Sequence, residues 1–119
     1  MAAFAFALPI LPGQEETVRS MGEAVSGSGE FREEYEASRK RLGISEEKVW
    51  VQMTPIGHVI VVYWETEDPQ RTLREIADAQ DEFGKDFRRL IETAAPAIDF
   101  GQEQLLSNEL LFEWQETHR

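Results

Sequence analysis

Two segments rich in Val, Ile, Trp and Tyr lie near the middle of the chain, at residues 48–54 and 58–65. These residue types fit the pleated, half-buried surface of a β-sheet. Only residues 55–57 separate the two segments, and so short a connection allows nothing but a tight turn between antiparallel strands. The sequence therefore predicts a β-hairpin over roughly residues 48–65, around which the rest of the chain has to pack.

The side chains of this hairpin divide into two faces, because a strand alternates with a period of two. We assume a turn centred on Ile56 and Gly57, since a one-residue slip would regroup the faces. One face is then entirely apolar and comprises Val49, Val51, Met53, Ile60, Val62 and Trp64. The other is mostly apolar with a few polar members and comprises Trp50 opposite Tyr63, Gln52 opposite Val61, and Thr54 opposite Val59.

The segments on either side of the hairpin carry clear periodicities. Apolar residues alternate with alanine over residues 3–11, which predicts a strand. Helical spacing covers residues 14–25 and 30–42, with Gly43 placed as the cap that ends the second helix. Asp68 and the proline that follows it predict the start of another helix, which ends before Pro96 and bends near residues 81–84.

The tail of the chain decides the fold class that we predict. Leu110, Phe112 and Trp114 alternate within residues 108–115, which predicts a last strand, and a short helix at residues 102–106 precedes it. The order is then strand, helix, strand, strand, helix, strand. This is the ferredoxin-like βαββαβ arrangement of the α+β class, a four-stranded antiparallel sheet with its helices on one face.

Length and composition limit the classes of protein to consider. The 119 residues fit one domain spanning residues 1–119. Twelve Lys and Arg face twenty-three Asp and Glu, a formal net charge of −11, so we expect no nucleic-acid partner. The absence of Cys excludes disulfides and thiolate chemistry, and no apolar run approaches the ~20 residues of a membrane span. We expect a cytoplasmic protein with no membrane partner, whose apolar residues 1–11 form a strand and not a signal peptide.

The two apolar faces of the hairpin predict self-association. Helices in this topology cover one face only, and the other would expose a larger apolar patch than monomers usually tolerate. A second copy of the chain is the simplest cover, since two-fold homodimers are the commonest oligomers. The alternative is that the C-terminal tail folds back over the sheet.

Several short motifs resemble those of a known group. Residues 34–44, 49–57 and 61–65, followed by Asp68 and its proline, are similar to a signature of small uncharacterised bacterial proteins, and the topology resembles the dimeric α/β-barrel superfamily. The superfamily resemblance implies a dimer that packs sheet to sheet, with a small-molecule cleft between the sheet and the helices of each chain. Its haem-binding members use a His on a helix, whereas this chain has only His58, beside the turn, and His118. We therefore expect no haem, no other cofactor and no metal.

Arg39 is the first candidate for a functional residue. It follows Phe31 and Tyr35 at four-residue steps and so shares the apolar stripe of its helix. A guanidinium in that position needs a carboxylate, a carbonyl or a ligand anion. Three alternatives stay open: an internal salt bridge, a stem that packs while its head group reaches water, and contact with a ligand.

A ligand pocket would form if the more polar face of the hairpin lay beneath the helices. An aromatic wall with an amide, a hydroxyl, a phenol and one cation suits a small aromatic or carboxylated molecule. The residues of this hypothesis are Trp50, Gln52, Thr54 and Tyr63 of the sheet and Tyr35 and Arg39 of the helix. The alternative is that they are core residues with satisfied polar tips. His58 could act as a general base, or it could be an ordinary turn residue.

Three functions from different classes follow from these patterns. The first is a small-molecule-binding homodimer without catalysis. The second is a cofactor-independent monooxygenase or isomerase of the dimeric α/β-barrel type. The third is a structural or protein-interaction module, which a helix–sheet gap filled with side chains would favour.

Overall fold

The fold consists of three strands and four helices over the residues that the computed structural model describes, 2–100 and 106–116. The strands are β1 (Ala2–Pro9), β2 (Ile44–Thr54) and β3 (Gly57–Thr66), and the helices are α1 (Glu15–Ser26), α2 (Glu30–Leu42), α3 (Pro69–Ala77) and α4 (Glu82–Ala94). The predicted hairpin is present, with β2 beginning four residues earlier than the sequence pattern indicated. Of the helices described, none is long and apolar enough to cross a membrane.

The sheet is antiparallel with the order β1-β3-β2, so the second strand of the hairpin is central. Thr54 pairs with Gly57, which leaves Pro55 and Ile56 as a two-residue turn. The predicted turn was centred one residue later, on Ile56 and Gly57. The threonine hydroxyl closes the observed turn, donating to the Gly57 carbonyl at 2.6 Å and accepting from the Ile56 N–H at 3.3 Å. The observed partner of Gln52 is Val59, so the predicted register was wrong by two residues. A shift of two preserves both faces of a strand, so the division of side chains was correct.

The predicted four-stranded ferredoxin-like sheet is wrong, because residues 106–116 form no strand. At the outer edge of β1, the side chain of Asn108 makes the hydrogen bonds that the main chain of a fourth strand would make. Its Oδ1 accepts from the N–H of Ala5 at 2.9 Å, and its Nδ2 donates to the Ala5 carbonyl at 2.7 Å. One side of the alternating tail carries Leu110, Phe112 and Trp114, and the other carries Leu111 among Glu109, Glu113 and Gln115. Of the short helix predicted at residues 102–106, all but the last residue lies outside the described part of the chain.

The helices cover the uniformly apolar face of the sheet. Ile60, Val62 and Trp64 of β3 are buried there, and they pack with Phe4 and Leu8 of β1. The rings of Phe4 and Trp64 are stacked with their centroids 5.9 Å apart. The helices add further buried side chains to this core, among them Val18, Met21, Leu73 and Ala94.

The opposite side, which we call the outer face, carries none of the helices in the described part of the chain. The pairing places on it Ala3, Ala5, Ala7, Trp50, Val59, Val61 and Tyr63, together with the polar residues Lys48, Gln52, Thr54 and Glu65. Trp50 has 51% of its surface exposed there. The mostly apolar outer face is therefore open to solvent in the single chain.

Asp81 explains why the second half of the chain holds two helices. Its carboxylate accepts from the Gly84 N–H at 2.9 Å and so caps the start of α4. Asp68 caps α3 in the same way through the N–H of Arg71, as the sequence predicted. The bend expected near residues 81–84 is thus a complete break between α3 and α4.

Candidate functional site

A cavity of about 950 Å³ lies between the helices and the apolar face of the sheet. This volume is within the range of roughly 300–1,000 Å³ that small-molecule sites occupy. Most of its wall is apolar or aromatic, including Phe6, Met21, Val51, Val62, Phe87 and Ile91. Side chains do not fill the gap between the helices and the sheet.

One wall of the cavity holds a buried ion pair between α2 and β2. The Arg39 Nε donates to Oε1 of Glu47 at 2.8 Å, and Nη2 approaches Oε2 at 3.4 Å. Only 13% of the arginine side chain and 8% of the glutamate side chain are exposed. The guanidinium on this apolar helix stripe is therefore paired with the carboxylate of Glu47. Of the alternatives for Arg39, the structure contains the internal salt bridge.

Two further donors complete the surroundings of this carboxylate. The hydroxyl of Tyr35 donates to Oε1, and the indole N–H of Trp64 donates to Oε2 at 2.6 Å. The guanidinium carbon of Arg39 lies 4.5 Å from the ring centroid of Tyr35 and 5.0 Å from that of Phe87. A planar cation that lies against two aromatic rings gains cation–π stabilisation and has little freedom to rotate away. We call Tyr35, Arg39, Glu47 and Trp64 the carboxylate network.

The carboxylate network shifts the pKa values of two of its members. Burial alone would raise the pKa of Glu47, but the positive charge of Arg39 and hydrogen bonds from Arg39, Tyr35 and Trp64 outweigh it, so the pKa lies below the ordinary value. Burial, together with the negative charge of Glu47, raises the pKa of Tyr35 to about 12. At neutral pH the site thus holds an ionised carboxylate and a neutral phenol.

Regular alternation with Val49 and Val51 places Glu47 on this side of the sheet, and an irregularity in β2 before it places Ile44 there as well. The pairing shifts between Ile44 and Glu46, which leaves Ser45 as the extra residue of a β-bulge. Ile44 and Glu47 are therefore both directed at the helices although three positions separate them. Sequence reasoning missed Glu47 because the predicted strand began at residue 48. Continuing the alternation of Val51 and Val49 back by one step would have found it.

The predicted pocket residues do not form one group. Tyr35 and Arg39 lie together in the cavity wall, as the sequence hypothesis required. Gln52 and Tyr63 lie on the outer face, where the Tyr63 hydroxyl donates to Glu65 at 2.7 Å. Trp50 adjoins the cavity from β2, but its place in the strand alternation is on the outer face as well.

The other two predicted residues belong to the hairpin turn. Thr54 holds the turn together through the hydrogen bonds described above. His58 pairs with Met53 at the end of the hairpin, and the cavity lining does not include it. Nothing in the described residues brings three His, Cys, Asp or Glu side chains together as a metal site would.

Arg88 of α4 is a cavity-lining residue that the sequence analysis did not single out. Its Nη1 donates to the carbonyls of Ile76 at 2.8 Å and Ala77 at 2.7 Å, at the C-terminal end of α3. Unlike the chain as a whole, the cavity lining is not acidic, since it carries five acidic and six basic side chains: Arg19, Arg32, Arg39, Lys40, Arg41 and Arg88. An anion would therefore meet a more favourable potential here than over most of the surface.

No protein-family model, curated protein or solved structure matches this chain. The resemblance drawn from its short motifs therefore stays a prediction. The assignment of a function has to come from the site itself.

Proposed function

We propose that this protein binds a small aromatic or apolar carboxylate in the cavity between its helices and its sheet. The observation that carries the proposal is a guanidinium with unused donors in the wall of an open apolar cavity. Of the five N–H groups of Arg39, three donate to Glu47 and Ser38, and the other two have no acceptor among the described residues. A ligand carboxylate would supply that acceptor, and an aromatic body would fill the space beside Phe87 and Val51.

The state of Glu47 supports binding rather than proton transfer. A general base needs a free lone pair and a pKa near the working pH. Glu47 instead accepts hydrogen bonds from three side chains, and its pKa is lowered. It is therefore a weak base that serves to orient Arg39. His58, the residue type best suited to proton transfer near neutral pH, lies outside the cavity lining.

Self-association through the outer face is part of the same proposal. The apolar side chains there are open to solvent, and Trp50 alone exposes half of its surface. Burying them against a second copy would remove apolar area from water without involving the cavity, which lies on the other side of the sheet. Each copy of a homodimer would then hold its own ligand.

Narrowing the cavity should abolish binding without disturbing the fold. Val49 lies on the cavity wall and is 45% exposed, so Val49→Phe adds an aromatic ring to the cavity without displacing the buried core. We expect wild-type protein to bind the probe naphthoate in isothermal titration calorimetry, and Val49→Phe to weaken that binding at least about tenfold, a loss of ~1.4 kcal/mol. Naphthalene methanol, which has no charge, should bind more weakly than naphthoate to the wild type.

Val59→Phe is the matched control, since it makes the same change on the outer face of the neighbouring strand. It should bind naphthoate as the wild type does. Equal binding by both variants would place the ligand somewhere else on the protein. Native mass spectrometry of the wild type would detect any molecule that co-purifies with it. If it finds none and naphthoate does not bind either, the proposal of a carboxylate ligand is wrong.

A further inference from the structure

We propose that residues 109–116, which we call the C-terminal arm, pack across the outer face of a second copy of this chain. The inference rests on the self-association proposed above and names the segment that carries it. Four large apolar side chains of the arm are 77–83% exposed: Leu110, Leu111, Phe112 and Trp114. These side chains make no part of the core of their own chain.

The arm leaves the domain from a fixed point. The Asn108 side chain holds both main-chain groups of Ala5 on the edge strand β1. Two residues earlier, the carbonyl of Leu106 accepts from Nε2 of Gln70 on α3 at 3.0 Å. The arm therefore begins at the border of the outer face, although its own apolar side chains do not cover that face.

The reach of the arm matches the width of a sheet. Eight extended residues span roughly 26 Å at ~3.3 Å each. The strands of a sheet lie about 4.8 Å apart, so a three-stranded face is only ~10 Å wide between its outer strands. An arm that begins at the edge of one sheet can thus cross the sheet of a copy packed beside it.

The area available is that of a stable dimer, which favours a second copy over an occasional contact. Phe112 and Trp114 can bury roughly 150–250 Å² each. Counted for two arms and for the surfaces that receive them, these two side chains alone account for about 1,200–2,000 Å². That is the range of specific protein–protein interfaces. Both the arm and the outer face belong to the same chain, so one two-fold contact satisfies both.

The test compares the masses of three proteins by light scattering at micromolar concentration. Wild-type protein should have the mass of two chains, whereas the variant with Phe112→Ser and Trp114→Ser should have the mass of one. The control variant carries Met53→Ser and Ile56→Ser at the hairpin turn, where the side chains are 73% and 98% exposed, and it should keep the mass of two chains. Because the arm lies outside the core, all three should share one circular dichroism spectrum.

A fourth variant tests the receiving surface. Val61→Asp places a charge in the outer face on the central strand, and it should also give the mass of one chain. A wild-type mass of one chain would overturn this inference together with the proposed self-association, whether the arm is free, folds over its own sheet or awaits a different protein. A two-chain mass for the arm variant, with a one-chain mass for Val61→Asp, would overturn the role of the arm while supporting a face-to-face dimer.

Discussion

Replacing Glu47 with alanine is expected to lower the free energy of unfolding by about 3–5 kcal/mol, the cost of leaving a buried charge without its partner. The side chain of Arg39 is only 13% exposed, so water would solvate its unpaired charge poorly. Tyr35 and Trp64 would lose their acceptor at the same time. Chemical denaturation at a fixed protein concentration measures this change, because self-association would make stability depend on concentration.

The neighbouring residue offers a matched control for this experiment. Glu46 pairs with Lys48 at 3.3 Å, but 44% of its side chain is exposed, so Glu46→Ala should change stability by less than about 1 kcal/mol. The double variant Arg39→Met, Glu47→Leu removes both charges and should be less destabilised than Glu47→Ala alone. If Glu46→Ala and Glu47→Ala lower the free energy of unfolding equally, the carboxylate network is not buried.

Raising the pH from 10 to 12 is expected to destabilise the protein through Tyr35. The phenol loses its proton near pH 10 in the unfolded chain, whereas the folded protein raises its pKa to about 12. The stability that this shift contributes is present in full below pH 10 and is lost as the pH rises through 12. A rise of this size is equivalent to at most about 2.7 kcal/mol, and because Tyr35 is only partly buried, solvent screening reduces the expected loss to the order of 2 kcal/mol.

Tyrosinate absorbance measures this titration directly. The chain has two tyrosines, so Tyr63→Phe leaves Tyr35 as the only phenol. The exposed hydrogen bond of Tyr63 to Glu65 also raises the pKa of that residue, which makes its removal necessary for a clear signal. The remaining phenol should titrate near 12 in folded protein and near 10 in denaturant. A single titration near 10 under both conditions would contradict the burial of Tyr35 against Glu47.

The hairpin shows how much of the fold its sequence determines. Alternation assigned every side chain of the hairpin to the correct face, because that depends only on a period of two. The register was wrong, because it depends on how the Thr54 hydroxyl closes the turn, a contact that alternation does not contain. The alternation in the tail was misleading, because an apolar segment forms a strand only where a free sheet edge accepts its main chain, and Asn108 occupies that edge at Ala5.

The candidate site could be predicted on the helix but not on the sheet. Helical spacing alone placed Arg39 and Tyr35 together on the buried stripe. The face of the sheet that these two side chains meet depends on how all the helices pack. The helices cover the face that carries Trp64 and Val62, and both residues are buried there. Glu47 was hidden because a charged residue at the start of a strand is ordinarily assigned to solvent, and only its buried partner makes this position favourable.

The hydrogen bonds between Asn108 and Ala5 have a consequence for aggregation. The outer strand of a sheet offers unpaired N–H and carbonyl groups to any extended chain that it meets, and growth of fibrils begins at such groups. An amide side chain that already holds both groups of Ala5 interrupts this template in the middle of β1. This hinders copies of the chain from adding strand to strand in an open-ended fibril. Contact between copies is then confined to surfaces that form closed oligomers.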